Sequence, residues 1–144
     1  MQPVTIDRRK LISFGFALLL AAALWNGLSS TSPLAKPQVK EVSIAEAKAL
    51  IDAGAVVLDV RPGGAENVLH IPGAIFVPLE VLAVNLPKLE AYRARPVVIY
   101  CGDGSTSGPE ATAMLNKAGF TRAVNLNPGF EGWRAAGMPV RKSG

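Results

Sequence analysis

The sequence predicts an α/β fold in which a parallel sheet is covered by helices on both faces. Two observations predict it. Residues 55–60 and 96–100 form almost continuous apolar runs, as in strands that are buried on both faces. Stretches of helical composition separate such runs, and strands joined through helices pair in parallel. A chain of 144 residues holds one ordinary domain and leaves little for a second.

The individual elements follow from local signals. Ser43 and Glu46 fit a capping box, in which the serine oxygen and the glutamate carboxylate satisfy the free amides at the start of a helix. Gly54 and Gly119 end the helices that precede them. In chain order we predict a strand at 39–42, a helix at 45–53, strands at 55–60 and 71–77, a helix at 78–86 with further helix near 89, a strand at 96–100, a helix at 107–118, a strand at 123–126 and a helix at 130–136.

The first 28 residues have the order of an export signal or a membrane anchor. A basic cluster at 8–10 precedes residues 11–25, of which 13 of 15 are apolar. This order is typical of bacterial export signals, and the apolar stretch is near the lower limit for spanning a hydrocarbon core of roughly 30 Å. Residues 29–38 predict a linker and residues 39–144 the folded domain. We therefore expect the domain to be exported, and to be either periplasmic or membrane-anchored facing the extracytoplasmic side.

Composition and charge exclude several classes of protein. Hydrophobic residues make up 49% of the chain and charged residues 18%, which excludes a disordered or fibrous chain. The formal charge is +4, but the first 36 residues contain four basic residues and one acidic residue, whereas residues 37–144 contain 11 basic and 10 acidic residues. A nearly neutral domain does not have the strong positive field that nucleic-acid binding needs. We therefore expect no nucleic acid as a partner.

The single cysteine follows the clearest predicted strand. Cys101 comes directly after residues 97–100, at the carboxyl edge where open parallel sheets bind ligands. Residues 102–108 form a glycine-rich loop that runs into a helix. Such a loop can turn backbone amides inward, and the helix amino terminus adds partial positive charge, so both favour thiolate over thiol. We interpret Cys101 as a reactive nucleophile rather than a small buried core residue.

Three motifs within residues 41–141 resemble the rhodanese family of sulfurtransferases. Residues 57–61 and 70–78 resemble its first signature, residues 97–107 its active-site strand and loop, and residues 128–140 its carboxy-terminal signature. The resemblance implies a rhodanese-like three-layer sandwich, which has a central five-stranded parallel sheet with helices on both faces.

The resemblance also implies an enzyme of the thiosulfate sulfurtransferase class. Cys101 would take sulfane sulfur from a donor such as thiosulfate or a persulfide and would itself become a persulfide. A thiophilic acceptor, which is cyanide in assays and a thiol or another protein in cells, would then remove that sulfur; this is nucleophilic catalysis through a covalent intermediate. No metal, nucleotide or organic cofactor is implied. The candidate substrate-binding residues are Gly102, Asp103, Gly104, Ser105, Thr106, Ser107 and Arg61.

The length of the loop separates sulfur transfer from related chemistry. Family members that act on phosphate or arsenate have a longer loop, with arginine at the position that Ser107 holds here, so this loop offers no guanidinium to a tetrahedral oxyanion. Residues 101–106 fit the six-residue loop of sulfurtransferases. Members efficient with thiosulfate often carry basic residues there. This chain carries Asp103, whose carboxylate would oppose an approaching dianion.

The remaining signature residues are interpreted as supports. Asp59, Glu66 and His70 are expected to fix loops around the site, and Trp133 is expected to pack in the core. Arg61 has either this structural role or the role of attracting an anionic donor.

Two other functions stay open from the sequence. One is a rhodanese-like sulfur carrier or protein-binding module with little turnover of small molecules. The other is a redox sensor in which Cys101 forms a sulfenic acid or a mixed disulfide.

Overall fold

The computed structural model describes residues 37–64 and 69–143. The predicted leader lies outside the described residues, as do Glu66 and most of the predicted linker. The described residues belong to one compact unit. In the part of the chain that is described, no helix has the length and apolar character needed to cross a membrane.

Strands and helices alternate along most of the described chain. The elements are β1 (Glu41–Val42), α1 (Ile44–Asp52), β2 (Val56–Asp59), β3 (Leu69–His70), β4 (Ile75–Phe76), α2 (Leu79–Leu89), a 3₁₀ turn (Glu90–Tyr92), β5 (Val97–Tyr100), α3 (Ser107–Lys117), β6 (Ala123–Leu126), α4 (Gly129–Ala135) and β7 (Arg141–Lys142). Five strands form one sheet in the order β1-β6-β5-β2-β4, and all of its pairings are parallel. The predicted fold class is confirmed.

Two hydrophobic cores lie on opposite faces of this sheet. One contains alternate strand residues such as Leu58 and Ile99 and packs against α2 and α3. The other contains their neighbours Val57 and Val98 and packs against α1 and α4. Because successive side chains of a strand point to opposite faces, strands that are apolar throughout need helices on both sides. The three-layer arrangement follows from that pattern.

The register of the sheet brings three strand ends together. Asp59 of β2 lies beside Tyr100 of β5, and Ile99 of β5 lies beside Asn125 of β6. Cys101 follows directly after Tyr100. The carboxyl edge of the sheet therefore holds an acid, a phenol, a thiol and an amide within adjacent strands.

The prediction of one strand over residues 71–77 is wrong for most of its length. Within that range, only residues 75–77 pair or make backbone hydrogen bonds with β2. Residues 71–74 form a turn in which the amide of Ala74 donates to the carbonyl of Ile71 at 3.1 Å, and Gly73 has a φ of +77°, a value that glycine adopts without strain. The preceding strand β3 pairs antiparallel with β7 in a separate sheet.

Helix α2 joins the predicted helix at 78–86 and the further helix predicted near 89 into one element. It continues through Pro87 to Leu89, and Leu82 and Leu89 are both buried in the core. The burial of these leucines stabilises the helix as far as Leu89, since most helical stability in proteins comes from tertiary packing. The capping box of Ser43 and Glu46 is present at the start of α1, as predicted.

Candidate active site

Cys101 lies at the end of the central strand, beneath the loop that follows it. Its side chain belongs to the core and is 2% exposed. The backbone amide of Gly104 donates a hydrogen bond to Sγ of Cys101, with N and S 3.2 Å apart. An N–H donor aimed at sulfur stabilises the thiolate more than the thiol, because hydrogen bonds to charged acceptors are the stronger ones.

Helix α4 holds the opposite side of the loop. The amide of Phe130 donates to the carbonyl of Cys101, and the amide of Glu131 donates to the carbonyl of Gly102, both at 2.9 Å. These bonds fix the first two loop carbonyls against α4. Helix α3 begins at Ser107, so the loop comprises residues 101–106, as the sequence predicts.

Glycine is required where the loop packs against the start of α4. Gly104 has a φ of +79°, and a Cβ added there would lie 2.7 Å from both the amide nitrogen of Gly129 and the carbonyl oxygen of Leu126. Contacts of that length with backbone cannot be relieved by moving a side chain. The close approach of these two backbone segments therefore depends on the missing side chain at Gly104.

Asp103 is the charged residue of the loop. Its Oδ1 accepts a hydrogen bond from the amide of Ser105 at 2.9 Å, and its Oδ2 accepts one from the Ser105 hydroxyl at 2.6 Å. The hydroxyl and amide bonds hold the pKa of the Asp103 carboxyl below its usual range. The thiol of Cys101 lies 3.7 Å from Oδ1. A fixed negative charge therefore lies beside the sulfur.

The other loop residues differ in exposure. Gly104 is buried, Gly102, Ser105 and Ser107 are half-buried, and Thr106 is exposed. Ser105, Thr106 and Ser107 also line an open groove of about 510 Å³ together with Leu79, Pro109, Glu110 and Pro37. Substrate binding by these residues stays a prediction.

Arg61 is buried in an ion pair next to the site. Its Nε lies 2.9 Å from Oδ1 of Asp59, its Nη2 lies 2.6 Å from Oδ2, and the same Nη2 donates to the carbonyl of Leu69 at 3.0 Å. The residue is only 8% exposed. These contacts support the structural interpretation of Arg61 and Asp59, whereas donor binding by Arg61 stays a prediction.

Tyr100 completes this buried cluster. Its hydroxyl donates to Oδ2 of Asp59 at 2.7 Å and accepts a bond from the amide of Ile71 at 3.3 Å. Burial raises the pKa of Tyr100 well above its usual value, and the neighbouring Asp59 carboxylate adds to the effect. The phenol therefore stays protonated and acts as a donor within the cluster.

His70 and Trp133 have contacts that fit supporting roles. Nδ1 of His70 lies 3.4 Å from the Ser143 hydroxyl, and His70 pairs with Arg141 in the small antiparallel sheet. Trp133 is 1% exposed and its Nε1 donates to the carbonyl of Pro139 at 2.8 Å. The prediction that Trp133 packs in the core is confirmed.

Asn125 belongs to the site although the sequence analysis did not select it. It lies on β6 and donates from Nδ2 to the carbonyl of Gly104 at 2.8 Å. The available signal was its position within the otherwise apolar residues 123–126. An amide in a strand buried on both faces needs a buried partner, and here that partner is the active-site loop.

Comparisons with known proteins agree on one family. The rhodanese-like domain matches residues 43–136 of this chain. YibN of Escherichia coli strain K12 is 32% identical over 137 residues, which cover 94% of this chain and 92% of that protein. The thiosulfate sulfurtransferase GlpE of Pseudomonas savastanoi pv. phaseolicola is 33% identical over 98 residues, covering 68% and 90%. The solved rhodanese-like domain of an Anabaena protein superimposes with a TM-score of 0.63 at 26% identity, covering 74% of this chain and 81% of that one.

Proposed function

The chain belongs to the rhodanese-like domain family, and we propose that it is a sulfurtransferase that moves sulfane sulfur from a donor to a thiophilic acceptor through a persulfide on Cys101. The observation that carries this proposal is the hydrogen bond from the Gly104 amide to Sγ of Cys101 at the carboxyl end of the central strand. A thiolate held in this way can attack the sulfur atom of a donor. It can later act as the leaving group when an acceptor attacks the persulfide.

The proposed reaction has two steps. With thiosulfate as donor, the Cys101 thiolate attacks the outer sulfur, the sulfur–sulfur bond of the donor breaks, and sulfite leaves with the bonding electron pair. The acceptor then attacks the terminal sulfur of the Cys101 persulfide, and the bond to Sγ breaks to regenerate the thiolate. With cyanide as acceptor the product is thiocyanate. The Gly104 amide would stabilise the sulfur anion on the enzyme at the start and at the end of the cycle.

Asp103 supports a second candidate function. Its carboxylate lies 3.7 Å from Sγ, and the bonds from Ser105 that lower its pKa keep it ionised at neutral pH. Thiosulfate is a dianion and would approach against this charge, whereas the sulfur group of a persulfide carries at most one negative charge and would be opposed less. The second candidate is therefore a sulfur carrier that receives sulfur from a persulfide donor, passes it to a thiol or a protein, and turns over thiosulfate slowly.

Intact mass spectrometry of residues 37–144 separates the two candidates. Incubation with thiosulfate is expected to add the mass of one sulfur atom, which cyanide removes and the Cys101→Ala variant does not gain. An added sulfur from an organic persulfide, without one from thiosulfate, would favour the carrier. No adduct from either donor would overturn both candidates, and a peroxide-dependent gain of oxygen on Cys101 would then favour a redox sensor.

The leader supports a proposal about location. A basic cluster followed by an apolar stretch would direct the domain out of the cytoplasm, either released or tethered to the membrane. Cells producing the full chain can be converted to spheroplasts and treated with protease. Digestion of the domain in intact spheroplasts, or its release on cell-wall removal, is expected; protection until lysis would contradict export.

A further inference from the structure

Asn125 is a polar residue in the buried and otherwise apolar strand β6. It is 0% exposed, and its strand neighbours Val124 and Leu126 are buried apolar residues. Burying an amide in such a strand is costly unless each of its polar atoms gains a partner. The partners of its amide atoms therefore decide whether it serves packing alone.

The Nδ2 atom of Asn125 makes two contacts. It donates to the carbonyl of Gly104 at 2.8 Å and lies 3.4 Å from Oε1 of Glu41. The first is short and buried, and it reaches the residue whose own amide donates to Sγ of Cys101. The carbonyl oxygen of Gly104 is therefore held by Asn125, while the amide of Gly104 points at Sγ of Cys101.

The Oδ1 atom of Asn125 is buried, and no described residue gives it a hydrogen bond. It lies against Gly108 in the first turn of α3, where an added Cβ would contact Oδ1 and would also lie 3.3 Å from Sγ of Cys101. The amide group thus fills the space between the loop, the start of α3 and the sulfur.

We infer that Asn125 is a positioning residue for the nucleophile: by holding the Gly104 carbonyl, it directs the Gly104 amide at Sγ, where this donor stabilises negative charge on the sulfur against the nearby Asp103 carboxylate. This role rests on the proposed persulfide chemistry of Cys101. The residue touches no reacting atom in the scheme above, and it acts through Gly104. Because glycine has the widest choice of backbone conformations, the orientation of Gly104 depends on its surroundings, among them the bond from Asn125 to its carbonyl.

The test is the pH dependence of Cys101 alkylation by iodoacetamide, measured on residues 37–144. Asn125→Ala and the near-isosteric Asn125→Leu both remove the amide, and the leucine keeps most of the buried volume. We expect the midpoint of the alkylation profile to move to higher pH by about one unit in both, which corresponds to about a tenfold smaller thiolate fraction below the midpoint. Sulfur transfer at neutral pH is expected to fall by a similar factor.

The control variant is Asn116→Ala. Asn116 lies near the end of α3, and its Oδ1 is likewise buried with no hydrogen bond from the described residues, so its removal tests the loss of a comparable amide away from the sulfur. Its alkylation midpoint is expected to match that of the unchanged protein. An unchanged midpoint in a folded Asn125 variant would overturn the inference and leave Asn125 a purely structural residue. Alkylation does not require sulfur transfer, so this result is independent of whether a persulfide forms.

Discussion

Two polar clusters flank the central strand β5 at the carboxyl edge of the sheet, and they are built differently. On the β2 side, Arg61, Asp59 and Tyr100 bond to one another and are almost completely buried. On the β6 side, Cys101, Gly104 and Asn125 share one chain of bonds, and no described group bonds to Oδ1 of Asn125. The first cluster is expected to stabilise the fold, and the second is expected to serve the chemistry.

The difference has a physical basis. A buried ion pair whose atoms all find partners contributes to a defined structure, and removing one member leaves an uncompensated charge. A nucleophile, in contrast, needs a hydrogen-bond donor aimed at its negative charge, which here is the Gly104 amide. The comparison predicts that substitutions in the two clusters separate into effects on stability and effects on reactivity.

The largest expected effect is the loss of sulfur transfer in Cys101→Ala. The variant removes the proposed nucleophile, so thiocyanate formation from thiosulfate and cyanide is expected to fall to the uncatalysed rate. The free energy of unfolding is expected to change by only about 1 kcal/mol, which is typical of a single small substitution. Activity retained by this variant would contradict every mechanism that uses a persulfide on Cys101.

Next in size is the loss of stability in Arg61→Met. Asp59 would be left buried with its charge uncompensated, and we expect the free energy of unfolding to fall by about 3–5 kcal/mol in denaturant titrations. The matched control is Arg93→Met, which breaks an exposed pair with Glu90 and is expected to cost less than about 1 kcal/mol. A stable Arg61→Met protein with a raised KM for thiosulfate would favour donor binding as the role of Arg61.

A smaller effect is expected from Gly104→Ala, which tests the close backbone packing in the Cys101 cluster. The added Cβ would meet the backbone of Gly129 and Leu126, so the loop must shift away from α4. Gly54→Ala is the control, because Gly54 has a similar φ of +91° and no described atom within 4 Å of an added Cβ. Strain in φ alone is expected to cost about 1–2 kcal/mol at Gly54.

The loss of unfolding free energy in Gly104→Ala beyond that in Gly54→Ala measures the close approach of the loop to α4. We expect that excess in the free energy of unfolding to be positive, and we expect sulfur transfer to fall only in Gly104→Ala, since the amide that bonds to Sγ moves with the loop. Equal losses of stability in the two variants, with equal activity, would show that the packing against α4 is not needed.

The sequence predicts the Cys101 cluster better than the buried ion-pair cluster. Residues 97–100 are continuously apolar, and the cysteine and glycines follow in a single local segment, so strand, nucleophile and loop are all visible in one motif. The bond between Tyr100 and Asp59 depends instead on the register of β5 against β2. Local patterns do not contain that register.

The same reasoning explains the two elements that the sequence missed. β3 and β7 contain two residues each, so they are too short for any periodic signal. They are also far apart in the sequence, so no local pattern indicates that they pair. Asn125 is visible as a polar residue in an apolar strand, but its partner, the Gly104 carbonyl, is known only once β5 and β6 are adjacent. Long-range pairings of this kind limit what one sequence predicts.

The smallest expected effect concerns the charge beside the sulfur, tested with Asp103→Asn. The amide can keep both contacts with Ser105, so the variant removes charge with little change of shape. We expect the rate of persulfide formation from thiosulfate to rise severalfold at low salt, and the gain to shrink as ionic strength rises, because salt screens exposed charges. The rate from an organic persulfide, whose sulfur group carries at most one negative charge, is expected to change less.

Glu110→Gln is the matched control for Asp103→Asn. Glu110 is an exposed acid on the first turn of α3 and lines the groove beside the loop, so the variant makes the same change in net charge away from the contact with Sγ. Since the bonds from Ser105 lower the pKa of Asp103, its carboxyl gains its proton at lower pH than an ordinary aspartate. The advantage of Asp103→Asn should therefore fade at lower pH than it would beside an aspartate of ordinary pKa. An equal gain in the rate from thiosulfate in both variants would show that net charge causes the effect. Asp103 would then have no specific role in the choice of sulfur donor.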